Sequence, residues 1–176
     1  MEMGLIHIYC GDGKGKTTAA MGLGMRAVGR DKKVLLTQFL KDNETGELNS
    51  IEKLGTNFEL FKGIPVTKFF KFMSPEEQMV TRKECGERFR EVTKKAIDEN
   101  VDLLILDEII ASTNLELVAL EEVIEFLKNK PEGLEVVLTG RNPDKELIEL
   151  ADYVSEIKAV KHPYEKGINS RIGIEK

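Results

Sequence analysis

The sequence predicts an α/β fold, a mostly parallel sheet of about six strands flanked by helices. Three observations predict it. Apolar runs of strand length recur along the chain, and stretches of helical period separate them. The third is size: 176 residues, 41% hydrophobic and 32% charged, suffice for one well-buried domain over residues 1–176 and are too few for two ordinary ones.

Each element has its own signal. Residues 5–10 (LIHIYC) form the first strand, 33–39 (KVLLTQF) the second, 58–61 a weaker third, 101–106 the fourth, 134–139 the fifth and 153–160 the sixth. Residues 16–29 are helical in character. Residues 76–99 carry Met79, Val80, Cys85, Phe89, Val92, Ala96 and Ile97 at spacings of mostly three and four, which predicts an amphipathic helix. Its start is marked by Ser74 as cap, Pro75 at the first position and Glu77 completing a capping box. Residues 120–129 predict a shorter helix, and Asn142-Pro143 opens another through about Leu150. Residues 41–49 and 62–73 resist assignment, and long irregular loops in such folds tend to be functional.

Composition excludes several functions. No apolar run approaches the roughly 20 residues of a membrane span, and no basic leader precedes the first strand, so a soluble, non-secreted protein is expected. Only Cys10 and Cys85 are present, which excludes a disulfide framework and points to a reducing cytoplasm. With 26 Lys and Arg against 31 Asp and Glu, the net charge of -5 has the wrong sign for a nucleic-acid binder. An anion must therefore be caught locally.

Residues 5–18 supply a place for one: an apolar strand, a loop with Gly11, Asp12, Gly13, Lys14 and Gly15, then Lys16 and Thr17 opening a helix. This is a P-loop in context as well as in letters. Glycines let successive N–H groups turn inward around phosphate oxygens where a Cβ would clash. Lys16 can set its ammonium against phosphate, Thr17 can ligate Mg²⁺, and the helix start favours an anion. Cys10 stands where the usual pattern has its first glycine, and Gly11 supplies the turn one place later.

The fourth strand ends in Asp107 and Glu108, at the sheet edge where ligands of open α/β folds sit. Either carboxylate can hold Mg²⁺ directly or through water. Arg141, after the fifth strand, suits phosphate oxygens or a surface ion pair. His7 reads as a satisfied sheet histidine. With His162 and two cysteines besides it, no zinc site is expected. These motifs predict binding of a magnesium nucleoside triphosphate and leave the reaction open.

Beyond the motifs, the sequence resembles a family. GDGKGKTTAA running on to RAVG, LDE after the fourth strand, LTGRN, and LADYVSEIKAVKHPYEKGINSRIGIE are similar to the P-loop corrinoid adenosyltransferases, also called cob(I)yrinic acid a,c-diamide adenosyltransferases. The match runs in order from about residue 4 to 175, and residues 150–175 are its most specific part. The resemblance implies a RecA-like P-loop NTPase fold and attack of Co(I) of a corrinoid on the 5′ carbon of ATP, releasing triphosphate. It implies that Gly11, Asp12, Gly13, Lys14, Gly15, Lys16, Thr17 and Arg141 hold ATP, and that Thr17 and Glu108, with Asp107 as the alternative, hold Mg²⁺. Lys16, Thr17 and Glu108 would be the catalytic set. Arg26 of RAVG lies about 15 Å along its helix from Lys16, too far for a direct phosphate role within one subunit.

Three positions depart from the family. Asp12 replaces a frequent Asn, only residues 1–4 precede the first strand where the family has a helix over its active site, and Phe69, Phe70 and Phe72 stand where aromatics often include Trp. Period-2 alternation predicts Phe70 and Phe72 on one side, either as core or as an apolar wall beneath the corrinoid. The family further implies a cytoplasmic homodimer, a possible reductase partner, and a place in cobalamin biosynthesis or salvage, with no nucleic acid or membrane involved. The physiological acceptor stays open. Other functions compatible with the residues are a P-loop ATPase or small-molecule kinase using Glu108 to orient the nucleophile, and a nucleotide-dependent regulatory module ordering residues 41–49 or 62–73.

Overall fold

The computed structural model describes residues 3–42 and 46–174. Asn43, Glu44 and Thr45 of the unassigned 41–49 stretch, and Glu175 of the C-terminal tail, lie outside them. Six strands, β1 (Ile6–Cys10), β2 (Val34–Gln38), β3 (Phe58–Leu60), β4 (Leu103–Asp107), β5 (Glu135–Thr139) and β6 (Tyr153–Glu156), alternate with helices. The helices are α1 (Lys16–Val28), α2 (Gly46–Leu54), α3 (Pro75–Asp98), α4 (Ile109–Asn114), α5 (Leu120–Asn129) and α6 (Lys145–Leu150). The strand order is β3-β2-β4-β5-β1-β6, and every neighbouring pair is parallel.

The sheet is buried on both faces because its strands alternate between two cores. Ile6, Ile8, Leu35, Leu104, Leu106, Val136 and Leu138 pack with Phe89 and Val92 of α3 and Val123 and Leu127 of α5. Val34, Leu36, Leu103, Ile105 and Val137 pack on the other face with Ala20 of α1 and Ile51 of α2. The edge strand β6 is exposed along its length.

Helix α3 starts as its sequence predicts: the Glu77 N–H donates to Ser74 Oγ, and the Ser74 N–H donates to Glu77 Oε2 at 2.8 Å. Helix α6 starts later than Asn142, because Asn142 takes a left-handed φ of 52° that no helix can contain, and Asp144 caps instead. Helices α2 and α4 were not expected. The sixth strand ends at Glu156 rather than near residue 160. Ile157 leaves the ladder to bond the loop after β1, its N–H donating to Cys10 O and its carbonyl accepting from Gly13 N–H, each at 2.8 Å.

Candidate active site at the carboxyl edge of the sheet

Because β5 lies between β1 and β4, the loops leaving β1, β4 and β5 converge on one edge. They enclose a crevice of about 190 Å³ lined by residues 12–18 together with Lys41, Glu47, Glu108, Arg141, His162 and Ile174. The expected residues Lys16, Thr17, Glu108 and Arg141 are thus brought together.

The loop from β1 to α1 holds its shape through glycine. Gly11 has φ 103° and Gly15 φ 122°, values that side chains rarely adopt. A Cβ on Gly13 would come within 2.8 Å of the Ile157 carbonyl oxygen, so the segment after β6 braces the loop from outside. The Asp12 carboxylate joins that brace, accepting from the Ala159 N–H at 3.1 Å. This bond is the first cause holding its carboxyl below the usual range. Asp12 therefore fastens the loop by its side chain, a use that the family's frequent Asn had not suggested.

Lys16 opens α1, is buried, and donates from Nζ to Gly13 O at 2.9 Å. Burial, then the nearby Arg141, lowers its pKa, while Glu108, Asp12 and Asp107 act in the opposite sense. Arg141 lies over the loop and donates to Asp12 O at 3.4 Å. Arg141 also lines the crevice, where a planar guanidinium can meet an anion.

The two carboxylates after β4 behave differently. Asp107 is fully buried. Its Oδ1 accepts from Thr17 Oγ1 at 2.9 Å and Thr139 Oγ1 at 2.6 Å. Its Oδ2 accepts from Gln38 Nε2 and from Lys41 Nζ, each at 3.0 Å. Glu108 has a left-handed backbone, φ 61°, held by its N–H donating to Thr139 Oγ1 at 2.8 Å. That turn sends its side chain into the crevice. Burial, then Asp107, raises its pKa, while Lys41, Lys16 and Arg141 pull the other way. Thr17, Asp107 and Glu108 together offer hard oxygen donors, the chemistry that Mg²⁺ accepts when phosphate oxygens complete its shell.

Sequence reasoning missed Lys41, His162 and Ile174 as crevice residues. Lys41 follows β2 at the same carboxyl edge, and that position alone could have revealed it. Arg26 is elsewhere, lining a separate cleft with Gly4, Asp102 and Gly133. His7 is satisfied within the sheet: Nε2 meets Glu135 Oε1 at 2.5 Å and its ring stacks on Tyr153 at 4.6 Å.

The aromatic segment overturns the expected alternation. Phe70–Phe72 is a 3-10 turn, so a period near three replaces a period of two. Phe69 and Phe72 are 78% and 70% exposed and meet edge to face at 6.4 Å. Phe70 turns inward against the core, with the Arg82 guanidinium 5.4 Å from its ring centre. Phe69 lines a groove with Leu40, Lys41 and Val66, and Lys41 also lines the crevice at the glycine loop. Buried Arg88 ties this loop to β2, donating from Nη1 to Gln38 O and from Nη2 to Ile64 O at 2.8 Å.

A six-stranded parallel sheet flanked by helices, with a glycine loop after its first strand, defines an α/β protein of P-loop NTPase-like architecture. Within that class, residues 2–175 match the model of the ATP:corrinoid adenosyltransferase BtuR/CobO/CobP family. The chain belongs to this family, whose curated members are transferases. It is 35% identical over 175 residues to a corrinoid adenosyltransferase of Escherichia coli K12, covering 99% of this chain and 86% of that protein. It is 34% identical over 175 residues to corrinoid adenosyltransferase CobA of Salmonella typhimurium LT2, with the same coverage of both, 99% and 86%. A corrinoid adenosyltransferase of Pseudomonas aeruginosa is 29% identical over 175 residues, covering 99% of this chain and 84% of that one. Among the described residues no helix is long and apolar enough to cross a membrane.

Proposed function

We propose that this chain transfers the 5′-deoxyadenosyl group of ATP to Co(I) of a corrinoid, releasing intact triphosphate, as a step in adenosylcobalamin biosynthesis or salvage. The observation that carries the proposal is one crevice lined by Lys16, Thr17, Glu108 and Arg141, a cationic seat beside carboxylates at the sheet edge of a chain from this family. In the reaction the cobalt electron pair forms a bond to C5′, and the C5′–O bond breaks with its electrons leaving on triphosphate. No proton moves, so no general base is needed.

The chain's own residues act on the leaving group. Loop N–H groups, Lys16 and Arg141 stabilise the negative charge that develops there. Thr17, Glu108 and Asp107 would hold Mg²⁺, which supplies further positive charge to the triphosphate when bound. Gly11 and Gly13 let the segment after β6 pack closely against the loop from outside, and the Asp12 bond to Ala159 keeps the loop backbone in place. Phe69 and Phe72 give the corrinoid an apolar surface without a cobalt ligand, with Phe69 in the place the alternation had assigned to Phe70. Residues 1–176 act as one domain, a cytoplasmic homodimer served by a separate reductase. The buried free thiols Cys10 and Cys85 suit a reducing compartment.

The Glu108 carboxylate in the crevice beside Lys16 and Thr17 favours one rival, hydrolysis with Glu108 orienting water. Incubation with MgATP labelled in the adenine ring and a chemically reduced corrinoid separates the two. Label in a light-sensitive corrinoid supports transfer; label confined to ADP supports hydrolysis.

A further inference from the structure

Lys41 is the unexpected group in the crevice. It follows Leu40, whose left-handed backbone has φ 55°, and its own carbonyl accepts from the Val66 N–H at 2.9 Å. The backbone is therefore fixed, while a flexible four-carbon stem carries the ammonium. That ammonium sits 3.0 Å from Asp107 Oδ2 and 3.4 Å from Thr17 Oγ1. The Thr17 hydroxyl gives its hydrogen to Asp107 Oδ1. Lys41 thus meets a lone pair of the threonine oxygen, which is also what a hard cation requires. A metal ion on the Thr17 oxygen and Asp107 Oδ2 would take the lone pairs that the ammonium now meets, and two positive charges so close in a buried site repel strongly.

We propose that Lys41 is a tethered counter-ion of the metal seat: its ammonium and a divalent cation are alternative occupants of the Thr17 and Asp107 oxygens, and entry of the metal hands the ammonium to phosphate in the same crevice. The proposal rests on the magnesium nucleotide reading above. Lys41 already lines that crevice with Lys16, Glu108 and Arg141, so the ammonium has an anion to move to when triphosphate is bound. Metal alone must displace the ammonium from buried Asp107 with only the crevice carboxylates Glu47 and Glu108 to receive it. With triphosphate present, the displaced charge gains a new partner. Metal and nucleotide therefore bind cooperatively through one side chain, and each raises the affinity of the other by the same factor.

The test is titration with Mn²⁺, followed by the paramagnetic resonance of the free ion, with and without ATP. Lys41→Met should bind Mn²⁺ on the order of tenfold more tightly than the parent without nucleotide, and ATP should promote its Mn²⁺ binding less. Arg141→Met removes a charge that lines the crevice without touching Asp107, and should change Mn²⁺ affinity far less. Lys41→Gln, which retains a donor for Asp107, should reproduce the tightening and serves if the methionine variant does not fold. Unchanged Mn²⁺ affinity, or tightening no greater than in Arg141→Met, overturns the exchange. Tightening with undiminished promotion by ATP overturns the transfer of the ammonium to phosphate. A parent protein that binds no Mn²⁺ even with ATP overturns the magnesium reading itself, and the exchange with it.

Discussion

Replacing Gly11 with Ala puts a methyl group where the loop after β1 already touches the segment after β6. The new Cβ would lie 2.3 Å from Ile157 O and 2.9 Å from Ile157 N, far inside contact distance. Neither side can retreat freely, because Ile157 N–H bonds Cys10 O and Ile157 O accepts from Gly13 N–H, both at 2.8 Å. The backbone itself resists, since φ of 103° lies well outside the left-handed well open to alanine. Such strain costs about 1–3 kcal/mol. Loss of one or both backbone hydrogen bonds adds about 0.5–1.5 kcal/mol each. Gly15→Ala is the internal control: its φ of 122° is also strained, yet its Cβ would meet nothing within 4 Å. Urea denaturation should therefore place Gly11→Ala about 0.5–3 kcal/mol below Gly15→Ala, with unchanged slope. Equal stability of the two variants would refute the bracing of the loop by the C-terminal segment.

Other outcomes follow from the same geometry. Lys16→Ala and Glu108→Ala should each lower turnover about a hundredfold to a thousandfold in steady-state kinetics while remaining folded; near-normal turnover and magnesium dependence in Glu108→Ala would remove Glu108 from the metal seat and leave it to Thr17 and Asp107. Phe72→Ala removes an exposed ring and should cost less than about 1 kcal/mol, whereas Phe70→Ala should cost more because its ring packs on the core. If Phe72 forms the apolar surface that denies cobalt a lower ligand, Phe72→Ala should also weaken the electron paramagnetic resonance signal of a four-coordinate Co(II) corrinoid bound with MgATP; a larger stability loss than in Phe70→Ala would contradict the inward turn of Phe70. The start of α3 should respond to acid: the Lys68 ammonium, then the Ser74 N–H, holds the Glu77 carboxyl below its ordinary 4.5. A lowered carboxylate pKa gives stability that is present above the unfolded value and lost as pH falls through the folded one. The protection of the amides in the first turn of α3, relative to their intrinsic exchange rates at each pH, should fall over that range, and an equal fall in Glu77→Ala would exclude Glu77 as its source.

The central strands were legible because each is an apolar run whose two faces meet two cores, as Leu103 to Leu106 show. The glycine loop after β1 was legible because its glycines and Lys16 serve geometry set within a few residues. Helix α4 was hidden because Ile109 and Ile110 prolong the apolar run of β4, and only the left-handed Glu108 separates strand from helix. The aromatic segment misled because a 3-10 turn sets its own period, pairing Phe69 with Phe72. Lys41 and the Asp12 bond to Ala159 depend on contacts across 66 and 147 positions, respectively, from Lys41 to Asp107 and from Asp12 to Ala159. No local pattern carries that information.

The central claim is that the bond broken in ATP is C5′–O and not a phosphoanhydride. Phosphorus nuclear magnetic resonance of the products formed from MgATP and a Co(I) corrinoid tests it directly. One triphosphate released for each light-sensitive alkyl corrinoid is the predicted result; ADP and orthophosphate, formed at the same rate with or without corrinoid, would contradict it.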